Sequence, residues 1–176
     1  FEVHFPKEQT CCGAAQWHTG DEKLTRELAR QNIDAFMAED YVAIINNAGG
    51  CGATLKEYPE LFRDDSEYAA KAERFAALVK DFSEFLLPNL REAPKGELRV
   101  RVTYSDSCHL RHGQKVIDQP RALLRLIPGL ELVELKSPDK CCGSAGIYNI
   151  VQHETSTAVL EAKMEDVAAT GAEIVA

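Results

Sequence analysis

The feature that most constrains this chain is an internal repeat. Cys11-Cys12-Gly13 recurs 130 residues later as Cys141-Cys142-Gly143. The surroundings repeat as well. Phe1-Glu2-Val3-His4-Phe5 before the first CCG parallels Leu130-Glu131-Leu132-Val133-Glu134 before the second, and each CCG precedes a helical pattern and then a β-rich run, Tyr41 to Ile45 in the first copy and Ala172 to Val175 in the second. Self-similarity of this kind marks one supersecondary unit used twice. The expected fold is therefore α/β, with two pseudo-repeated parallel βα halves, each carrying a CCG loop between strand and helix.

Helical spacing supports that reading. Tyr68, Ala72, Phe75, Ala76, Val79, Phe82 and Leu86 predict a helix from Glu67 to Leu87, capped by Asp65 or Ser66 and stopped by Pro88. From Glu22 to Met37, Lys23, Glu27, Arg30 and Asp34 share one face and leave Leu24 and Leu28 for a core. Asp118 and Pro120 open a helix through Ile127 that ends at Pro128-Gly129, and a further helix is expected from Gln152 to Ala169. The Ser144-Ala145-Gly146 run reads as a helix entry. Strand candidates are Val3 to Phe5, Tyr41 to Asn46, Leu98 to Tyr104, Leu130 to Leu135 and Ala172 to Ala176. Strands alternating with helices imply parallel pairing, and the continuous apolar run Tyr41 to Ile45 suits a strand covered on both faces. With Arg91 to Gly96 as a linker, the expected halves are 1–90 and 97–176.

Composition narrows the function. The 176 residues carry 20 Lys plus Arg against 28 Asp plus Glu, a net charge of −8, with no basic cluster. Such a chain has no stripe for phosphates, which argues against nucleic acid and anionic membrane surfaces as partners. It also contains no apolar run long enough for a membrane span. A cytosolic location follows, and there six cysteines point to metal or redox chemistry rather than to three disulfides. The alternating run at Phe1 without a start methionine, and the apolar stop at Ala172 to Ala176, are expected of a piece of a longer polypeptide.

Each CCG lies where a strand gives way to a helix. Backbone N–H groups and the positive end of a helix dipole can converge there on thiolates, and the glycine permits a close turn. Cys51 follows a strand and two glycines, and Cys108 follows another strand, 33 residues before Cys141. All six cysteines are thus expected on the carboxyl edge of a parallel sheet, where ligands bind. The candidate ligand sets are Cys11, Cys12 and Cys51, and Cys108, Cys141 and Cys142. Cys108-His109 with His112 allows His109 as a zinc ligand; the alternative is a solvated turn with Arg111 and Lys115. His18 beside Trp17 reads as a partly packed surface residue, and His4 and His153 carry no signal. Three chemistries stay open on the residues alone: an iron-sulfur cluster, a structural zinc, or cysteine pairs cycling through disulfides.

At CCGAAQWHTGD (Cys11 to Asp21), NNAGGCGATLKEY (Asn46 to Tyr58), SCHLRHGQKVIDQPRALL (Ser107 to Leu124) and CCGSAGIYN (Cys141 to Asn149) the chain resembles the cysteine-rich CCG domain family. That family occurs in heterodisulfide reductase, in lactate-utilisation iron-sulfur proteins and in the iron-sulfur subunit of glycolate oxidase, the last being the nearest likeness. The resemblance implies that the six cysteines hold iron-sulfur clusters of the [4Fe-4S] kind. It implies electron relay from an FAD-binding glycolate oxidase subunit toward a membrane acceptor, at the inner face of the membrane. It also implies that each set is one cysteine short here, the upstream Cys of copy one falling before Phe1 and the downstream loop of copy two after Ala176. A cluster held by three thiolates is expected to be lost readily. Ala48 departs from the CxxC form used by heterodisulfide reductase. The ferredoxin-type CxxCxxCxxxCP runs are missing, as in the C-terminal portion of such a subunit, and no GxGxxG run offers a flavin or nicotinamide site.

Overall fold

The computed structural model describes residues 1–144 and 146–176; Ala145, within the expected helix entry, lies outside them. The chain divides into two compact units, Phe1–Phe82 and Ser83–Ala176. All strand pairing is parallel, as alternating strands and helices require.

The first unit contains α1 (Ala14–His18), α2 (Glu22–Met37), β1 (Ile44–Asn46), α3 (Gly49–Leu61), α4 (Ala69–Leu78) and β2 (Val79–Asp81). β1 and β2 pair with Ile44 beside Val79, Ile45 beside Lys80 and Asn46 beside Asp81. Ala29, Ile33, Ile44, Tyr58, Leu61, Phe62, Tyr68, Ala72, Phe75 and Val79 form its core. Tyr58 stacks on Phe75 with ring centroids 5.4 Å apart, a contact typical of aromatic pairs that dominate core energetics.

Several expectations fail in this unit. The helix foreseen from Glu67 to Leu87 is cut at Val79–Asp81, which becomes β2. α4 begins at Ala69 with Tyr68 as its N-cap and without a side-chain cap bond, and the Asp65 carboxylate accepts from Glu67 N and Tyr68 N at 3.0 Å each in the turn before it. The cut arises because Val79, β-branched and buried, gains a parallel ladder with β1 that helical periodicity cannot announce. On α2 the buried positions are Thr25, Ala29, Asn32 and Ile33, while Leu24 is exposed. Val3 to Phe5 is irregular and exposed. In the second unit the corresponding run is a strand because β3 pairs with it, and residues 1–82 include no counterpart of β3. β1 is also covered on one face only, since Ile44 is buried whereas Ile45 is 42% exposed.

The second unit continues from α5 (Phe82–Asn89), which begins at the last residue of the first. β3 (Val100–Thr103), a π-helical turn (His109–Gly113), α6 (Asp118–Arg125), β4 (Leu130–Leu132), α7 (Tyr148–Val151), α8 (His153–Ala169) and β5 (Ile174–Val175) follow. The sheet order is β4-β3-β5, with Val102 beside Leu132 on one side and Ile174 on the other. The strands are shorter than their apolar runs, but backbone bonds extend the pairing. Val133 N donates to Val102 O, Ala176 N to Thr103 O and Ser105 N to Ala176 O.

The repeat survives at the level of elements. CCG, a short helix, a long helix and a strand succeed one another as α1, α2, β1 and again as α7, α8, β5. Among the described residues no helix is long and apolar enough to cross a membrane.

Candidate functional site: two cysteine loops

Gly13 and Gly143 adopt the same left-handed conformation, with φ of +81° and +82°. A side chain at either would meet the long helix that follows. A Cβ at Gly13 would stand 3.3 Å from Thr25 Cγ2, and one at Gly143 would stand 2.4 Å from Ser156 O. The glycine therefore lets each CCG loop lie against its helix, α2 in the first unit and α8 in the second.

In the first set, Cys11 is exposed, Cys12 is buried and Cys51 is half-buried. Cys51 lies in the first turn of α3 rather than in the loop expected for it. It is thus placed at the N-terminal end of a 13-residue helix. Cys12 is hydrogen-bonded to Cys51 and feels both Cys51 and Cys11 electrostatically. Burial first, and then these neighbouring thiols, push the Cys12 thiol up to about 12, while the Ala14 N–H donated to it acts the other way. Cys12 without metal is accordingly held as a neutral S–H whose proton a metal must displace.

Two residues that sequence reasoning did not single out hold this loop. Asn32 on α2 donates from Nδ2 to Cys11 O at 3.0 Å and to the Tyr58 hydroxyl at 3.1 Å, and its Oδ1 accepts from Thr10 N at 2.8 Å. Tyr58 on α3 donates to Cys12 O at 3.0 Å. Burial drives the Tyr58 hydroxyl well above its usual range, so it stays protonated and able to donate. The signal available in sequence was a polar Asn at a core-facing position of α2, which is seldom buried without a partner.

In the second set, Cys108 precedes the π-helical turn, and Cys141 and Cys142 lie between β4 and α7. Cys108 is half-buried, and Cys141 and Cys142 are exposed. Burial raises the Cys108 thiol, and Cys141 and Cys142 raise it further, Cys141 also being hydrogen-bonded to it. Gly143 N donates to Cys141 Sγ at 3.3 Å. Each loop therefore aims an N–H two residues on at a thiol sulfur, Ala14 at Cys12 and Gly143 at Cys141.

α8 grips the second loop. Ser156 Oγ donates to Gly143 O at 2.9 Å, Lys163 Nζ donates to Pro138 O at 3.0 Å, and the Asp166 carboxylate accepts from Lys136 N and Ser137 N. His109 opens the π-helical turn directly after Cys108.

The structure thus brings Cys11, Cys12 and Cys51 together in one unit and Cys108, Cys141 and Cys142 in the other. Among the described residues no three His, Cys, Asp or Glu side chains are gathered tightly enough to hold a single metal ion. Three thiols, N–H groups donated to sulfur and a glycine turn are donor chemistry that an iron-sulfur group can use.

Comparison with known proteins identifies the family. The cysteine-rich domain (CCG) family matches residues 1–56 and 102–176. The chain is 46% identical to a probable glycolate oxidase iron-sulfur subunit of Bacillus subtilis over 175 residues, which make up 97% of this chain and 39% of that protein. It is 37% identical to lactate utilization protein A of Geobacillus kaustophilus over 93% of this chain and 68% of that protein. It is 34% identical to lactate utilization protein A of Shouchella clausii over 98% of this chain and 72% of that protein. The chain therefore spans well under half of the first of these relatives and about seven tenths of the others.

Proposed function

The chain belongs to the cysteine-rich CCG domain family, and on that premise we propose that it is an iron-sulfur electron-transfer portion of a 2-hydroxy acid oxidising complex of the glycolate oxidase or lactate utilisation kind. Cys11, Cys12 and Cys51 would hold one group and Cys108, Cys141 and Cys142 the other, each as a [4Fe-4S] cluster completed by a further ligand. A bound cluster supplies one-electron chemistry at a potential set by hydrogen bonds to sulfur and by burial. The residues of this chain do the rest. Ala14 N–H and Gly143 N–H donate to thiol sulfur, which stabilises added negative charge there. The exposure of Cys141 and Cys142 leaves the second set open to a redox partner, whereas Cys12 is shielded.

A flavin-bearing subunit that oxidises the 2-hydroxy acid fits as electron donor, and a membrane acceptor fits as the onward destination. The observation that carries this reading is the duplicated loop. Two CCG turns share one glycine conformation, each donates one N–H to a thiol sulfur, Cys12 in the first and Cys141 in the second, and each has a further cysteine beside it. A thiol-disulfide enzyme would need only one reactive pair.

The test is anaerobic reconstitution with ferrous iron and sulfide of the 176-residue chain beside a version extended at both ends to the length of its relatives. The extended protein should turn brown, with a broad visible absorption and about four iron per filled set, and the shorter chain should retain less. Colourless protein in both forms, binding zinc alone or giving titratable disulfides, would overturn the proposal.

A further inference from the structure

Arg121 is nine-tenths buried, which is rare for an arginine unless its charge is fully engaged. It lies on α6, which carries none of the cysteines. Its guanidinium forks onto Asp106, Nη1 to Oδ1 at 2.7 Å and Nη2 to Oδ2 at 3.1 Å, and the Asp106 side chain is only 3% exposed. Nε donates to Glu134 Oε2 at 2.9 Å, and Nη1 also donates to Ile117 O at 2.9 Å. The guanidinium lies 4.9 Å from the centre of the Tyr104 ring. Arg111 adds a second cation on Asp106 at 2.7 Å, and Arg125 one on Glu134 at 3.0 Å.

The partners belong to two segments. Tyr104 and Asp106 are on the exit from β3, which reaches Cys108 two residues after Asp106. Glu134 is on the exit from β4, which leads to Cys141 and Cys142. One rigid cation therefore ties together the two chain segments that deliver the thiols of the second set. We infer that Arg121, with Asp106 and Glu134, is a positioning device of that set, fixing the separation of the Cys108 segment from the α8-held segment that carries Cys141 and Cys142.

The physical argument concerns geometry rather than bulk stability. A buried ion cluster loses in desolvation much of what it gains in attraction, so its net contribution to folding is small or even negative. What it supplies is direction. The planar fork of arginine fits Asp106 in one orientation while its third nitrogen, Nε, is committed to Glu134, a combination that lysine cannot reproduce. The first unit achieves the same end with the neutral pair Asn32 and Tyr58, so the two sets are held by unrelated means.

The inference rests on the thiol sets being ligand sets, and cadmium tests it without iron or sulfide. Cadmium alone is titrated into the metal-free 176-residue chain against a competing chelator. Its NMR signals are assigned to the two sets with Cys11→Ser and Cys141→Ser, both at exposed positions. In Arg121→Lys the affinity of the second set should fall by about 10- to 100-fold, the usual effect of removing a ligand's supporting group, while the first set keeps its own. Glu134→Gln, which leaves the Arg121–Asp106 fork intact, should give a smaller loss confined to the same set, and it carries the test if Arg121→Lys does not fold. Unchanged affinity at the second set, an equal fall at both sets, or no cadmium drawn in by the three thiols of the second set in the unaltered chain overturns the assignment. A chain that shows the cadmium contrast but takes up no iron and sulfide refutes the iron-sulfur reading and leaves the role of Arg121 standing.

Discussion

Replacing Tyr58 by Phe removes one oxygen and leaves the ring stacked on Phe75 at 5.4 Å. The lost hydroxyl donates to Cys12 O at 3.0 Å and accepts from Asn32 Nδ2 at 3.1 Å. Asn32 keeps its bond to Cys11 O, so the main casualty is a buried carbonyl without its donor. An orphaned buried acceptor costs about 1–3 kcal/mol. At about 4–8 °C per kcal/mol for a unit of this size, Tm should fall by about 5–20 °C. Asn32→Leu strips partners from Thr10 N, Cys11 O and the Tyr58 hydroxyl together and should cost about 2–4 kcal/mol. The two variants share one bond, so the double variant should be milder than the sum of the singles by at least about 0.5 kcal/mol.

Trp17, the single tryptophan of the chain, packs against the core of the first unit, so its fluorescence in urea reports this unit selectively. A Tyr58→Phe midpoint equal to that of the unaltered protein, or strict additivity in the double variant, would refute the idea that this pair clamps the CCG loop.

Two further outcomes follow from the loops. Gly143→Ala places a Cβ 2.4 Å from Ser156 O at φ +82° and should destabilise more than Gly13→Ala, whose Cβ meets a movable methyl at 3.3 Å. Gly20→Ala has open space around it and should cost only about 1 kcal/mol for its left-handed backbone; thermal melts that rank the three otherwise contradict the packing argument. The second outcome concerns pH. Cys12 titrates at about 12 in the folded, metal-free chain against 9.0 in the open chain, so the folded form holds this proton more tightly. Its contribution is complete below pH 9.0 and is lost as pH rises toward about 12. Melts taken from neutral to strongly alkaline pH should decline in the unaltered chain and less steeply in Cys12→Ser; parallel declines would show that Cys12 is not the group responsible.

The sequence alone determined the doubling of the CCG loop and the parallel alternation of strands and helices, and it singled out the six cysteines on which the proposed function rests. These are local or repeated signals. A glycine after two cysteines must turn in the same way wherever it recurs, and apolar periodicity survives in any tertiary setting. The helices Glu22–Met37 and His153–Ala169 were legible for that reason, whereas the helix opened by Asp118 ends at Arg125, short of the Ile127 expected.

What only the tertiary structure decided was the use of long-range partners. Val79–Asp81 reads as helix because Val79 and Phe82 continue a helical stripe, yet pairing with Ile44–Asn46 converts it to strand. Val3 to Phe5 reads as strand and is none, because a strand exists only beside a partner. Asn32, Tyr58, Asp106, Arg121 and Glu134 were equally hidden. Each is ordinary in its own neighbourhood, and becomes a support of the cysteine loops only when segments 13 to 46 residues apart meet. Hydrophobic period and turn chemistry act between residues a few positions apart, whereas hydrogen bonds and ion pairs are set by distance in space.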